Sequence, residues 1–149
     1  MKARDIMTVN VISVKRDALI KDIAHILVEN RIGGVPVVDD DGRVVGIISE
    51  TDLVRKEKNV HIPSYITVLQ GVIYLESFKR FEEDIRKITA YKAEDIMTAE
   101  VEKVHEDDDV ETIASLMIEK GVNRVPVVDS EGKLKGIICR YDIIKSMFN

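Results

Sequence analysis

The chain is one unit written twice. Residues 2–56 align with residues 92–146 without a gap. Roughly two positions in five are identical, too many for chance in an ungapped match, so the sequence encodes a duplicated supersecondary unit. Lys2-Ala3-x-Asp5-Ile6-Met7-Thr8 returns as Lys92-Ala93-x-Asp95-Ile96-Met97-Thr98. Val35-Pro36-Val37-Val38-Asp39 returns as Val125-Pro126-Val127-Val128-Asp129, Gly46-Ile47-Ile48 as Gly136-Ile137-Ile138, and Asp52 as Asp142. A unit of about 55 residues is marginal alone, because so small a domain buries too little surface. Two copies packed face to face remove that difficulty. Their pseudo-twofold relation leaves a cleft between them, and duplicated clefts imply duplicated binding chemistry.

Each copy reads as β-α-β-β-α, so the expected fold class is α/β (α+β), two such repeats packed with pseudo-twofold symmetry. The alternation Val11-Ile12-Ser13-Val14 predicts a strand. Ile20, Ile23, Ala24 and Leu27 then share one face of a helix, as do Val110, Ile113, Ala114 and Met117. Asp17 and Asp107 to Asp109 lie where acids complement a helix N-terminus, and the run Glu106 to Asp109 reads as a solvated helix start rather than a metal site. Arg31-Ile32-Gly33-Gly34 and Gly121-Val122-Asn123 end these helices, glycine and asparagine suiting the left-handed conformation there. Val35 to Val38 lead into the turn Asp39-Asp40-Asp41-Gly42, and Val44 to Ile48 return as the second strand of a hairpin. In the second copy the turn is Asp129-Ser130-Glu131-Gly132. A second helix is expected to start near Ser49 and near Cys139.

The expected organisation is a first repeat at 1–56, a connecting segment at 57–91 and a second repeat at 92–149. Phe78, Phe81, Ile85 and Ile88 recur at helical spacing, and Glu82 with Arg86 and Glu83 with Lys87 form i,i+4 pairs, so the connection contains a helix. Ile66 to Leu75 is apolar and reads as strand or as helix; its character implies burial in the fold or at a subunit interface.

Composition removes several function classes. The net charge is −5, with acids and bases interspersed, which argues against phosphate-backbone binding and hence against a nucleic-acid partner. One cysteine, Cys139, allows neither an intramolecular disulfide nor a cysteine zinc cluster, and points to a reducing compartment. His25, His61 and His105 have no metal spacing. No signal-peptide core opens the sequence, and no apolar run approaches the roughly 20 residues that span a bilayer, so a cytoplasmic protein without a membrane partner is expected. P-loop, dinucleotide fingerprint and nucleophile elbow are all missing, so the chain is not read as an enzyme.

The Asp-Ile-Met-Thr opening, the Val-Pro-Val-Val-Asp strand and the Gly-Ile-Ile-x-x-x-Asp closing, twice and in order, resemble CBS domains, named for cystathionine β-synthase. A tandem pair is called a Bateman module and is also found in IMP dehydrogenase and the γ subunit of AMP-activated protein kinase. The resemblance covers about three quarters of the chain. It implies a regulatory module binding AMP, ADP, ATP or S-adenosylmethionine in the inter-repeat cleft, with no required cofactor, commonly as a homodimer, and passing its signal to an effector protein. A ligand-independent dimerisation or interaction platform is the alternative.

The same resemblance assigns candidate ligand-binding residues. Asp52 and Asp142 would hold the ribose hydroxyls, which suits a carboxylate able to accept two hydrogen bonds. Ser49, with Thr51 beside it in Ser49-Glu50-Thr51-Asp52, would help hold phosphate. Ser-x-x-Asp is also nearly a capping box, useful without any ligand, and one residue can serve both ends. Cys139 stands where the family has a hydroxyl and is a weaker donor, which implies two unequal sites. Arg124, whose counterpart is Gly34, would reach the phosphates; a surface arginine in a strand-leading loop is the competing reading. Lys15 and Arg16, counterparts of His105 and Glu106, follow the first strand, near where family ligands lie, and read equally as a solvated turn. Val11, Ile12, Ile32, Val35 and Pro36, and Val101, Val122, Val125 and Pro126, would wall the adenine, unless they are simply core.

Overall fold

The computed structural model describes residues 1–54 and 91–149. The helix expected within 57–91 and the run Ile66 to Leu75 lie outside the described residues. Repeat one comprises α1 (Ala3–Ile6), β1 (Val14–Lys15), α2 (Ile20–Asn30), β2 (Gly34–Val38), β3 (Val44–Ser49) and α3 (Glu50–Val54). Repeat two comprises α4 (Ala93–Ile96), β4 (Val104–His105), α5 (Val110–Lys120), β5 (Arg124–Val128), β6 (Leu134–Cys139) and α6 (Arg140–Met147). Each repeat carries one three-stranded sheet, ordered β1-β2-β3 and β4-β5-β6. The outer short strand runs parallel to the central one, and the hairpin partner runs antiparallel. The β-α-β-β-α reading therefore holds, with one extra helical turn ahead of each copy.

Two local expectations need correction. The strand expected at Val11 to Val14 begins only at Val14, which pairs with Val37. Extending that ladder backwards would reach Pro36, which has no N–H to give. The left-handed residue after α2 is Arg31 (φ 52°), not a glycine, whereas after α5 it is Gly121 (φ 65°). The helix end is fixed by the Ile32 N–H donating to the Leu27 carbonyl at 3.0 Å, matched by Val122 to Met117 at 3.0 Å. That six-residue closure needs a left-handed residue between, whatever its type.

The apolar stripe of α2 is buried at Ile20, Ile23, Ala24 and Leu27, and that of α5 at Val110, Ile113 and Met117, with Ala114 half-buried. These stripes cover one face of their own sheet. The opening segments do something the repeat pattern alone does not reveal: they cross over. Ala3 lies in the core of repeat two, beside Val104, Ile113 and Val125. Ala93 lies in the core of repeat one, beside Ile20, Val35 and Ile48.

Backbone hydrogen bonds fix the exchange. Ala3 N–H donates to Asp108 O at 2.9 Å and Val110 N–H to Met1 O at 3.0 Å; Ala93 N–H donates to Ala18 O at 2.8 Å and Ile20 N–H to Tyr91 O at 3.1 Å. Thr8 and Ile137 exchange both backbone bonds, at 2.9 and 3.0 Å, and so do Thr98 and Ile47, at 2.9 and 3.0 Å. The methionine of each opening lies on the glycine of the other copy's closing strand. A β-carbon at Gly136 would meet Met7 Sδ at 2.6 Å, and one at Gly46 would meet Met97 Sδ at 2.4 Å. The acid run is more than a solvated helix start. Asp109 pairs with Lys2 at 2.8 Å and Asp107 pairs with Arg4, so two of its carboxylates dock the incoming segment.

At the hairpin ends the two sheets touch again. Val44 N–H donates to Gly132 O at 3.1 Å and Leu134 N–H to Gly42 O at 3.0 Å, over a small cluster of Val38, Val44 and Val128. Asp39 Oδ1 accepts the N–H groups of Asp41 and Arg43, both at 2.9 Å, and Asp129 Oδ1 those of Glu131 and Lys133, at 2.9 and 3.0 Å. Gly42 (φ 84°) and Gly132 (φ 82°) complete these turns.

Two predictions follow from this packing. Gly46→Ala forces Met97 aside and should destabilise the protein by about 1–3 kcal/mol, the usual cost of overpacking. In a Met97→Ala background the same change should cost under about 1 kcal/mol by urea denaturation, the two residues being in contact; an equal cost in both backgrounds would contradict the exchange. The backbone N–H groups of Arg43 and Lys133 hold the carboxyls of Asp39 and Asp129 below the usual range. A depressed folded-state value means stability that is present at neutral pH and is lost as pH falls through that value. Asp39→Asn with Asp129→Asn should therefore flatten the acid limb of a melting-temperature profile between pH 6 and 3, and an unchanged profile would remove these turns from the acid response.

Candidate functional site

Each Ser/Cys-x-x-Asp motif sits where a strand becomes a helix, and the crossed-over opening of the other repeat closes over it. In the first site Ser49 ends β3 and Asp52 lies in the first turn of α3. Asp52 Oδ2 accepts the Ser49 backbone N–H at 2.9 Å and the Ser49 hydroxyl at 3.2 Å. Its other oxygen accepts the hydroxyl of Thr98, from repeat two, at 3.3 Å. The capping geometry anticipated for this motif is thus present, and it holds the half-buried carboxylate in one orientation. Thr51 is exposed beside it.

The second site repeats the plan with different chemistry. Asp142 Oδ2 accepts the Cys139 backbone N–H at 2.7 Å. Among the described residues no bond from Thr8 to Asp142 matches that of Thr98 to Asp52. Burial pushes the Cys139 thiol up, the Asp142 carboxylate adds to this, and Arg124 opposes both. Cys139 stays a protonated thiol at neutral pH, a weak donor rather than a nucleophile.

Arg124 opens β5 opposite Cys139, and Gly34 opens β2 opposite Ser49. These equivalent residues meet: a β-carbon on Gly34 would lie 2.8 Å from Arg124 Nη1. The structure therefore brings Ser49, Asp52, Gly34, Arg124, Cys139 and Asp142 to the same end of the two sheets. Lys15 and Arg16 are at the other end. Lys15 pairs with Val38 whereas Ser49 pairs with Gly34, and four residues of strand separate those positions by about 13 Å. Lys15 Nζ donates to Asp39 O at 2.9 Å, and both basic residues line a shallow groove of about 310 Å³ with Asp17, Val38, Asp39 and Asp40. That mixed-charge setting matches the solvated-turn reading.

The expected adenine walls divide in two. Val35, Pro36, Val125 and Pro126 are fully buried and belong to the core, with no free surface to offer a ring. Ile12 is 38% exposed, and Val11 lines a second groove of about 280 Å³ with Val9, Ser13, Val38, Gly42, Leu134 and Lys135. Ile32, Val101 and Val122 are half-buried. Thr98 and Thr8 are the residues that sequence reasoning missed. Both stand in the repeated Asp-Ile-Met-Thr motif, but only the crossing of the openings brings them to the aspartate motif of the other copy.

Known proteins share this architecture. The CBS domain profile matches residues 3–59 and 93–149. The chain is 32% identical over 154 residues to protein MJ1426 of Methanocaldococcus jannaschii, covering 99% of this chain and 91% of that protein. It is 30% identical over 135 residues to the chloroplastic CBS domain-containing protein CBSX2 of Arabidopsis thaliana, covering 89% of this chain and 57% of that protein. A crystal structure of CBSX2 in complex with AMP superposes with a TM-score of 0.73 at 29% identity, covering 98% of this chain and 95% of that one. The CBS domain pair of protein MJ0100, in complex with 5′-methylthioadenosine and S-adenosyl-L-methionine, superposes with a TM-score of 0.72 at 25% identity, covering 99% and 95%. Two matched repeats, each closed by the opening segment of the other, make this chain a member of the CBS domain family, as a tandem pair.

Proposed function

We propose that this chain is a non-catalytic regulatory module that binds an adenosine-containing ligand, AMP, ADP, ATP or S-adenosylmethionine, at the seams between its repeats. The observation that carries the reading is the pair of oriented, half-buried carboxylates, Asp52 and Asp142, each standing at a strand-to-helix junction closed by the other repeat. A fixed carboxylate beside a hydroxyl suits a ribose diol, and the bound AMP of CBSX2 and the bound adenosine ligands of MJ0100 support that choice of ligand class. Ser49 and Arg124 are the groups for a phosphate tail, the guanidinium offering a bidentate fork. The second site, with Cys139 for serine, is the weaker one for phosphate. The ligand would act by favouring one arrangement of the repeats over another, in the cytoplasm, with an effector protein reading the outcome.

One observation favours a second role, self-association. Tyr141, Ile144 and Phe148 form an exposed stripe along α6 and its end, with Met147 beside them and Ile118 exposed on α5. Apolar side chains grouped in this way mark a contact surface, and a homodimer through α6 fits them.

Melting with millimolar AMP, ADP, ATP, S-adenosylmethionine and adenosine separates the two roles. A ligand at 100 times its dissociation constant stabilises by about 2.7 kcal/mol, or roughly 5–10 °C in a domain of this size. At least one of these ligands should produce such a shift, and Asp52→Ala should shrink the ligand-induced part of it. Absence of any shift, together with a dimeric mass by light scattering, would favour the platform role and end the ligand reading.

A further inference from the structure

The two sites share one plan, with Cys139 for Ser49 and Arg140 for Glu50, and they differ again in one charge at the head of a strand. Thr8 matches Thr98, Ile47 matches Ile137, and Asp52 matches Asp142, but Arg124 is matched by Gly34. The arginine crosses to repeat one and fills the space that two glycines leave. A β-carbon on Gly33 would lie 2.5 Å from Arg124 Nη2 and 3.5 Å from Glu50 Oε1; one on Gly34 would lie 2.8 Å from Nη1 and 2.9 Å from Ile48 O. Any side chain at either position would expel the guanidinium.

This places one cation between two helix starts. On one side Gly33 O accepts the N–H of Glu50, the first residue of α3, which carries Asp52. On the other side Arg124 is the register partner of Cys139, the residue preceding α6, which carries Asp142.

We infer that Arg124 is a phosphate ligand shared by the two sites, so that a phosphorylated nucleoside bound at one site weakens binding of a second at the other. This rests on the adenosine-ligand reading above and adds the regulation of those sites. A planar guanidinium turned toward one phosphate presents its paired donors to that phosphate and withdraws them from the other site. The second phosphate then enters without its counter-charge and near a like charge. Adenosine, with no phosphate, makes no demand on Arg124 and fills the two sites without this coupling. The sharing is specific to a chain with arginine in one copy and glycine in the other.

Titration calorimetry with AMP and with adenosine on the full chain tests this. Wild-type protein should bind AMP in two steps, the second weaker by a factor within the usual span of coupling energies, about 5 to 150. Asp142→Ala should leave a single AMP site as tight as the first wild-type step, and Asp52→Ala should leave the Cys139 site binding AMP more tightly than the second wild-type step, because Arg124 is then free to serve it. Should either alanine variant fail to fold, the asparagine variant replaces it. Arg124→Gln should weaken AMP, bring its two steps together and leave adenosine unchanged. If one single-site variant retains the tight constant and the other the weak one, the sites are merely unequal and the inference falls. Equal AMP steps in the wild type, or equal losses of AMP and adenosine in Arg124→Gln, also overturn it. In all those cases the adenosine-ligand reading stands; binding of neither compound removes both.

Discussion

The structure depends on a reciprocal exchange of about eight residues. Each repeat lacks something its partner supplies: the alanine that fills its core and the threonine backbone that caps its closing strand. Ala3 and Ala93 are fully buried in the opposite repeat, and the paired bonds Thr8–Ile137 and Thr98–Ile47 extend each hairpin by one bridge. Small domains bury too little surface to be robust alone, and exchange of the opening segments turns two marginal cores into one cooperative body. The Met7–Gly136 and Met97–Gly46 contacts explain why the opening and closing motifs recur together. The glycine leaves room for the other copy's thioether, so neither motif has its shape without the other.

The same exchange creates the candidate sites. An aspartate three residues beyond a strand end is an ordinary helix cap when nothing covers it. Here the covering segment brings the Thr98 hydroxyl against Asp52 across the seam. Cap and ligand roles are therefore compatible in one residue: the backbone bond from Ser49 or Cys139 takes one oxygen and fixes the side chain, and in Asp52 the other oxygen meets Thr98 of the opposite repeat. At the opposite end of the sheets, the turns around Asp39 and Asp129 fasten the two hairpins together and give the seam its second anchor.

Much of this was legible in the sequence because duplication doubles every signal. The amphipathic stripes Ile20-Ile23-Ala24-Leu27 and Val110-Ile113-Met117 identified the helices and their buried faces. The Asp-x-x-Gly turns identified the hairpins. The start of β1 and the identity of the left-handed residue were not legible, since the first depends on Pro36 in a neighbouring strand and the second on where Leu27 closes the helix. Lys15 looked close to the site in sequence, yet the register puts it at the far end of β2. Thr98 was missed for the opposite reason: it is 46 residues from Asp52 along the chain and meets it only through the exchange. Local pattern fixes elements, whereas crossing over is a property of two elements at once and leaves no periodic trace.

Native-state hydrogen exchange on the amides of Thr8 and Thr98 tests the exchange most directly. Both residues are exposed, and among the described residues the backbone partners of their N–H groups are Ile137 O and Ile47 O in the opposite repeat. The account predicts that these two amides are protected to nearly the free energy of global unfolding, together with those of Ile47 and Ile137. Exchange of Thr8 and Thr98 at the rate of an open loop, while the strands β3 and β6 remain protected, would contradict it.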